Sequence, residues 1–346
     1  MPELTVAAGL ARGLMELAVS KGASQKALAE RSCIDPQELL DQDRRIPFVK
    51  YVALMRAGKE LCGDPALALH YGETNDLSQI SIVGLLGYAS ETMLDAFAQL
   101  NRYGRLVVEF DGGPDRFKLS HTKGGAWIVD TRQNANDFPE LTESTFARMV
   151  CGPRHFGVPQ LVKEVHVTHA EPTYRAEYDR IFQAPVVFRS EWNAMLVDEA
   201  AVTHRIALQP RYVFGILSEH ADTLLKSLES SKSTRGRVES LLMPILHTGN
   251  ASMDSVAAKM GLSRPTLFRR LKAEGTTFET VLDELRRTMA LDYLNTKKVS
   301  VNETAYLVGF SEPAAFSRAF KRWTGNSPGS VRSSSIETTN GVTRPR

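Results

Sequence analysis

Cysteine is scarce in this sequence: Cys33, Cys62 and Cys151 are the only three in 346 residues. Their odd number and wide spacing exclude a disulfide framework and the paired spacing of a zinc site, and they suit a reducing cytoplasm. No run of about 18 apolar residues is present to span a membrane. The N-terminus lacks a basic start followed by an apolar run and a cleavage site. The phosphate-cradling G-x-x-x-x-G-K-[ST] and the strand-linked G-x-G-x-x-G are missing, as is a G-x-S-x-G nucleophile elbow. His166 and His169 are three apart, which on a strand puts them on opposite faces. His155, His204 and His220 have no spaced acidic or cysteine partner. The acidic pair Asp283-Glu284 reads as a solvated helix face. No catalytic residue, metal ligand or cofactor is therefore expected, and the chain is read as soluble, cytoplasmic and without a membrane partner.

Net charge is also small, +2 from 42 basic and 40 acidic residues, but it is unevenly spread. From residue 250 onward 15 Lys and Arg stand against 9 Asp and Glu, which leaves 27 and 31 for the rest. A basic end on a slightly acidic body suits a segment that meets phosphates.

That basic end holds two similar stretches, Ser252 to Lys272 (SMDSVAAKMGLSRPTLFRRLK) and Val301 to Arg322 (VNETAYLVGFSEPAAFSRAFKR). In each, an alanine-bearing helix is followed by a glycine (Gly261 or Gly309), an apolar residue (Leu262 or Phe310) and a serine (Ser263 or Ser311). A second helix then carries apolar residues four apart, Leu267 and Leu271, or Phe316 and Phe320. The glycine permits a left-handed turn, Ser263 can cap the next helix, and the four-residue spacing makes one apolar face. These are two helix-turn-helix units, each built to present its second helix to a major groove of double-stranded DNA. The outward residues of the first are Ser263, Arg264, Thr266, Phe268, Arg269, Arg270 and Lys272. Those of the second are Glu312, Pro313, Ala314, Ser317, Arg318, Lys321 and Arg322. Arg269 and Arg318 occupy matching positions and are the strongest candidates to read bases. Arg270, Lys272, Lys321 and Arg322 are assigned to phosphates or packing. Between the units, Phe278, Val281, Leu282, Leu285, Met289, Tyr293 and Leu294 keep a helical period, which predicts one connecting helix from Phe278 to about Asn295.

Residues 235–335 resemble the DNA-binding domain of the AraC/XylS family of bacterial transcription regulators. The strongest stretch is Ala305 to Pro328 (AYLVGFSEPAAFSRAFKRWTGNSP). Two departures stand out. Val331 precedes Arg332 where the family usually has an aromatic residue, and Phe268 stands where relatives often have a polar one. Phe268 cannot hydrogen-bond a base edge, but it can touch a thymine methyl.

Residues 1–105 read as mostly helical, with amphipathic stretches at Leu10 to Ala18, Phe48 to Cys62 and Thr92 to Tyr103. Short strands are predicted at Leu106 to Phe110, Phe117 to Leu119, Trp127 to Val129, Val165 to Val167 and Val186 to Phe188, with a turn at Asp111 to Pro114. Ser24 to Leu40 superficially looks like a third helix-turn-helix, but it lacks basic residues on the would-be reading helix and is read as packing helices. Scattered matches (Asp43 to Pro47, Gly63 to Leu69, Gly84 to Tyr88, Leu100 to Tyr103, then His169, Pro172, Tyr178, Phe182, Pro185, Phe188 and Asn193) resemble the arabinose-binding-like sensory domain of the ornithine-utilisation-regulator type. The resemblance implies a small-molecule effector without identifying it, and effector-binding residues are unknown from the sequence.

The expected fold is an α+β sensory domain, residues 1–205, followed by an all-α DNA-binding domain, residues 235–335, with two helix-turn-helix units joined by a connecting helix. Residues 206–234 are expected to form a helical connector with a serine-rich linker from Ser227 to Ser233, and residues 336–346 a disordered tail. Phe214, Leu217, Ala221, Leu224, Leu225 and Leu228 form a stripe read as a packing face in preference to a homodimer seam. The function expected is that of a ligand-responsive activator with DNA and RNA polymerase as partners. The alternatives are a sensor acting through protein partners and an enzyme fused to DNA-binding helices.

Overall fold

The computed structural model describes residues 4–111, 115–122, 125–154, 157–158, 161–198, 202–206, 211–249, 251–296 and 299–334. The expected turn at 112–114, His155 and the tail at 336–346 lie outside the described residues. The chain divides into two compact units, Met1–Leu225 and Lys226–Arg346.

The first unit opens with a two-stranded ribbon, β1 (Thr5–Ala7) against β2 (Arg45–Pro47), antiparallel with Val6 opposite Ile46. Around it pack α1 (Ala8–Ser20), α2 (Gln25–Ser32), α3 (Phe48–Leu61), α4 (Leu67–Thr74), α5 (Ile82–Ala89) and α6 (Met93–Val107). The sheet that follows comprises β3 (Phe117–Thr122), β4 (Gly125–Asp130), β5 (Val162–His166), β6 (Val186–Val187) and β7 (Asn193–Val197), in the order β3-β4-β7-β5-β6. All pairs are antiparallel except β5 with β6. Two helices, α7 (Glu140–Arg154) and α8 (Arg175–Phe182), pack with Phe146, Val165, Tyr178 and Met195 in one core. The approach of α4 to α7 depends on Gly72: a Cβ there would lie 2.2 Å from the Ser144 carbonyl oxygen.

Leu106 to Phe110 is not the expected strand. Thr92 and Asp95 form a reciprocal capping box, which starts α6 and lets it run on to Val107. Only Val108 makes an isolated bridge, to Val6. Arg45 explains the helix end. Its guanidinium donates to the carbonyls of Leu106 and Arg105, the latter at 3.2 Å, and to Thr5 O at 3.0 Å. The last helical carbonyls, which have no partner within the helix, are thereby satisfied, and the β-branched residues remain buried without a ladder.

The second unit is helical throughout its described residues. The helix α9 (Arg211–Lys232) contains the unit boundary and runs through most of the serines read as a linker. Ser230 and Ser231 fold their hydroxyls onto the carbonyls of Ser227 and Leu228, at 2.9 and 2.7 Å, so these serines do not compete with the helix from outside. Next come α10 (Thr234–Leu242), α11 (Met253–Lys259), α12 (Arg264–Ala273), α13 (Phe278–Thr296), α14 (Val301–Leu307), α15 (Pro313–Thr324) and α16 (Pro328–Ser334).

Helix α13 serves two cores. Phe278 and Val281 join Val256, Leu267 and Leu271 in the first. Ala290 and Leu294 join Ala305, Phe316 and Phe320 in the second. Leu282 and Leu285 pack against both. At 1.5 Å per residue its nineteen residues make a spine roughly 28 Å long.

Candidate nucleic-acid interface and effector cavity

Each helix-turn-helix is held by local chemistry that leaves its second helix bare on one side. In the first, Ser252 caps α11 by accepting from Ser255 N at 3.2 Å. Gly261 makes the turn at φ +65°, and Ser263 caps α12 by accepting from Thr266 N at 3.4 Å. In the second, Ser300 and Glu303 form a capping box on α14, and Gly309 turns at φ +82°. The two glycines differ. A Cβ on Gly261 meets nothing within 4 Å, whereas one on Gly309 would lie 2.2 Å from the Leu246 carbonyl oxygen.

Arg286, which the sequence reading passed over, secures this second turn. Its Nε donates to Val308 O at 3.1 Å and its Nη2 to Gly309 O at 3.3 Å, while its guanidinium lies 4.7 Å from the Phe310 ring centre. Burial holds its pKa below the ordinary arginine value, partly countered by Asp283. A signal was present: Arg286 falls four residues after Leu282 and four before Ala290, on the apolar face of α13. Phe310 also packs on Phe316 and Trp323, and Val331 joins the same core from α16 in place of the aromatic residue.

On α12, Leu267 and Leu271 are buried, and Arg264, Phe268, Arg269, Arg270 and Lys272 are exposed, with Thr266 half-buried and its N-cap Ser263 exposed. Phe268 keeps 49% of its surface open to solvent. On α15, Phe316, Ala319 and Phe320 are buried; Ala314, Arg318, Lys321 and Arg322 are exposed, and Pro313 and Ser317 are half-buried. Glu312, the exposed N-cap residue, makes no side-chain capping bond.

The N-caps set a common register. Arg269 and Lys272 stand six and nine residues beyond Ser263, and Arg318 and Lys321 stand six and nine beyond Glu312. The two helices thus present the same Arg-x-x-Lys pair at the same height, although Pro265 is at the second helical position and Pro313 at the first.

Two of the basic residues are occupied. Arg264 meets Asp254 at 3.0 Å and Arg322 meets Asp283 at 3.0 Å, both at exposed positions. Asp283 and Glu284 are therefore ion-paired, Glu284 with Arg235 at 2.6 Å, and are not a purely solvated face. Among the described residues Arg269, Arg270, Lys272, Arg318 and Lys321 have no ion-pair partner.

In the first unit the polar groups serve packing. Glu143 is buried, accepts from Tyr178 at 2.6 Å and Tyr174 at 2.8 Å, and has its pKa raised by burial. His169 bonds Tyr178 at 2.9 Å, while His166 bonds Ser190 and Glu164, so the two histidines have separate partners. Burial also raises the Cys151 thiol pKa, the opposite of what a nucleophile requires. Asp130 is fully buried between Arg116 at 3.1 Å and Arg132 at 3.0 Å. Burial pushes its pKa up, but the two guanidinium groups outweigh that and hold it below the ordinary carboxylate value.

The same unit holds a partly open cavity of about 480 Å³ bounded by residues from Leu10 to Ile206, including Tyr51, Phe97, Leu100, Arg116, Leu119 and Arg148. Sequence reasoning missed all of these as site residues.

Paired bare helices on one spine define a DNA-binding protein, and the cavity in the other unit suits a ligand-binding domain. Residues 22–206 match the family described as the arabinose-binding domain of AraC transcription regulators, N-terminal, and residues 256–334 match a helix-turn-helix domain family. The chain belongs to the AraC family of transcription regulators, proteins that are not enzymes. It is 26% identical over 334 residues to the ornithine utilization regulator of Pseudomonas aeruginosa, covering 93% of this chain and 94% of that one. It is 30% identical over 204 residues to the regulator VirS of Mycobacterium tuberculosis, 56% of each chain. The crystal structure of the regulator CdpR from Pseudomonas aeruginosa shares 22% identity and a TM-score of 0.41, covering 89% and 97% of the two chains. Among the described residues no helix is long and apolar enough to cross a membrane.

Proposed function

We propose that this regulator is a cytoplasmic, ligand-responsive activator whose α12 and α15 enter successive major grooves on one face of its operator. The carrying observation is the repeated Arg-x-x-Lys pair, solvent-exposed at equal heights on both helices and without counter-ions among the described residues. Arg269 and Arg318 read guanines, each bidentate contact supplying about 1–3 kcal/mol of discrimination. Ser263, Arg264, Thr266, Phe268, Glu312, Pro313, Ala314 and Ser317 line the same two helix starts and approach bases. Arg270, Lys272, Lys321 and Arg322 hold phosphates, which fix register without reading sequence. The DNA-binding part is taken as residues 235–335, the connector as 206–234 and the effector-sensing part as 1–205. Effector in the first unit's cavity biases operator binding, a homodimer, or recruitment of RNA polymerase. The test is Arg318→Ala: it should fold, bind more weakly, and lose preference at one half of a bipartite site. Unchanged affinity and selectivity would refute the assignment.

A further inference from the structure

The cavity in the first unit is lined mostly by apolar residues, and Arg148, among its few charged ones, meets no carboxylate among the described residues. Val83, Phe97, Leu100, Leu119, Met149 and Leu161 contribute to the wall. Arg148, near the middle of α7, lines it too, and its Nε and Nη2 are buried with no hydrogen-bond partner among the described residues. Its guanidinium lies 5.2 Å from the Tyr71 ring centre, a contact that softens the charge without neutralising it. The Tyr51 hydroxyl, in the same wall, is likewise buried and unpartnered. Arg116 gives its Nη2 to Asp130 but leaves its Nε unsatisfied. One carboxylate, Asp130, thus serves both Arg116 and Arg132.

The other acids around the cavity make contacts away from Arg148. Glu140 pairs with Lys59 at 2.9 Å. Glu143 accepts from Tyr174 and Tyr178 through Oε1 alone, its Oε2 being buried without a partner among the described residues. Glu73, in the wall itself, takes the fork of Arg180 at 2.6 and 2.5 Å. Asp76 caps a turn by accepting from Ser78 N at 2.9 Å. Two buried guanidinium nitrogens left without a partner are costly, and a ligand that brings the anion removes that cost.

We infer that the cavity binds an organic monocarboxylate with an extended apolar body. The carboxylate takes the planar fork of Arg148, whose geometry favours two-oxygen recognition, and accepts from the Tyr51 hydroxyl. The body lies along the apolar wall. A space of 480 Å³ falls within the roughly 300–1,000 Å³ of small-molecule pockets. A polyamine would bring like charge to Arg148. The inference rests on reading the first unit as the ligand-binding domain.

The test is calorimetric titration of the full chain, without DNA, using straight-chain carboxylates from hexanoate to tetradecanoate, each against its matching primary alcohol, with 1,5-diaminopentane as a dicationic control. At least one carboxylate should bind about tenfold or more tightly than its alcohol, the scale of a hydrogen bond to a charged group, and 1,5-diaminopentane should not bind. Arg148→Met should abolish that preference while leaving the alcohol's affinity in place; Arg148→Lys should keep part of it. Thermal unfolding checks that both variants fold, and Tyr51→Phe gives a second probe, with a loss of about threefold to tenfold. If no carboxylate binds, if the alcohols bind equally well, or if Arg148→Met keeps the preference, the inference is overturned. Operator binding measured in parallel separates the two readings. A carboxylate-blind protein that still selects its DNA overturns this inference and leaves the regulator assignment intact. A protein that binds the carboxylate but selects no DNA does the reverse.

Discussion

Arginines without an ion-pair partner among the described residues occur in two regions, and their surroundings give them opposite meanings. On α12 and α15, Arg269 and Arg318 are exposed. Water solvates them, so keeping them bare costs the fold little, and they stay available for base edges and phosphates. In the cavity, two nitrogens of Arg148 are buried among apolar side chains. There water cannot substitute, and the missing counter-ion is a debt to stability that a ligand can offset. Asp130, beside the same cavity, shows how such charge is handled when it is structural: Arg116 and Arg132 share one fully buried carboxylate. A bare charge on the surface is a contact held in reserve, whereas a bare charge inside points to a missing partner.

Six substitutions sharpen that contrast. Asp130→Asn leaves two mostly buried guanidinium groups without their carboxylate and should destabilise the first unit by about 3–5 kcal/mol, read by denaturant unfolding. The accompanying pH dependence has a definite sign. The folded pKa of Asp130 lies below the unfolded value of about 3.9. Its contribution is therefore present above that value and lost as pH falls through the lower folded pKa, and Asn should flatten the acid limb of the stability curve. Arg318→Ala should remove about 1–3 kcal/mol of discrimination at one half-site, seen as loss of preference between matched and mismatched operators, with unfolding unchanged.

Smaller effects bear on the contrast directly. Arg148→Met should raise the stability of the ligand-free protein by about 0.5–2 kcal/mol, as relief of functional strain often does, while Arg269→Ala should change it by no more than about 0.5 kcal/mol. Equal effects of the two on unfolding would dissolve the distinction. Lys272→Ala should lower the salt slope of DNA binding by about one charge, and Lys321→Ala should do the same, with selectivity preserved.

The DNA-binding unit was legible because its signals are local. Gly261, Gly309 and the apolar pairs Leu267/Leu271 and Phe316/Phe320 lie within a few turns of each other, and the helical period from Phe278 to Leu294 returns as α13. Arg286 was missed because arginine suggests solvent, although its place on the apolar face pointed inward. The first unit was harder. Leu106 to Phe110 has strand-forming residues, but the Thr92–Asp95 capping box and the Arg45 guanidinium carry the helix to Val107. The short strand Asn193–Val197, central in the sheet order, was absent from the strand reading. The cavity could not be read at all: its wall gathers residues from Leu10 to Ile206, and the lack of a partner for Arg148 exists only in three dimensions.

The most direct test of the central claim, recognition by two matched helices, is selection of genomic fragments by the purified full chain, with Arg269→Ala/Arg318→Ala as control. The expected result is a bipartite motif, its halves about one helical turn (roughly 34 Å) apart, that the double variant no longer enriches. If wild type and variant enrich the same DNA, or if neither enriches any, specific reading by α12 and α15 is contradicted.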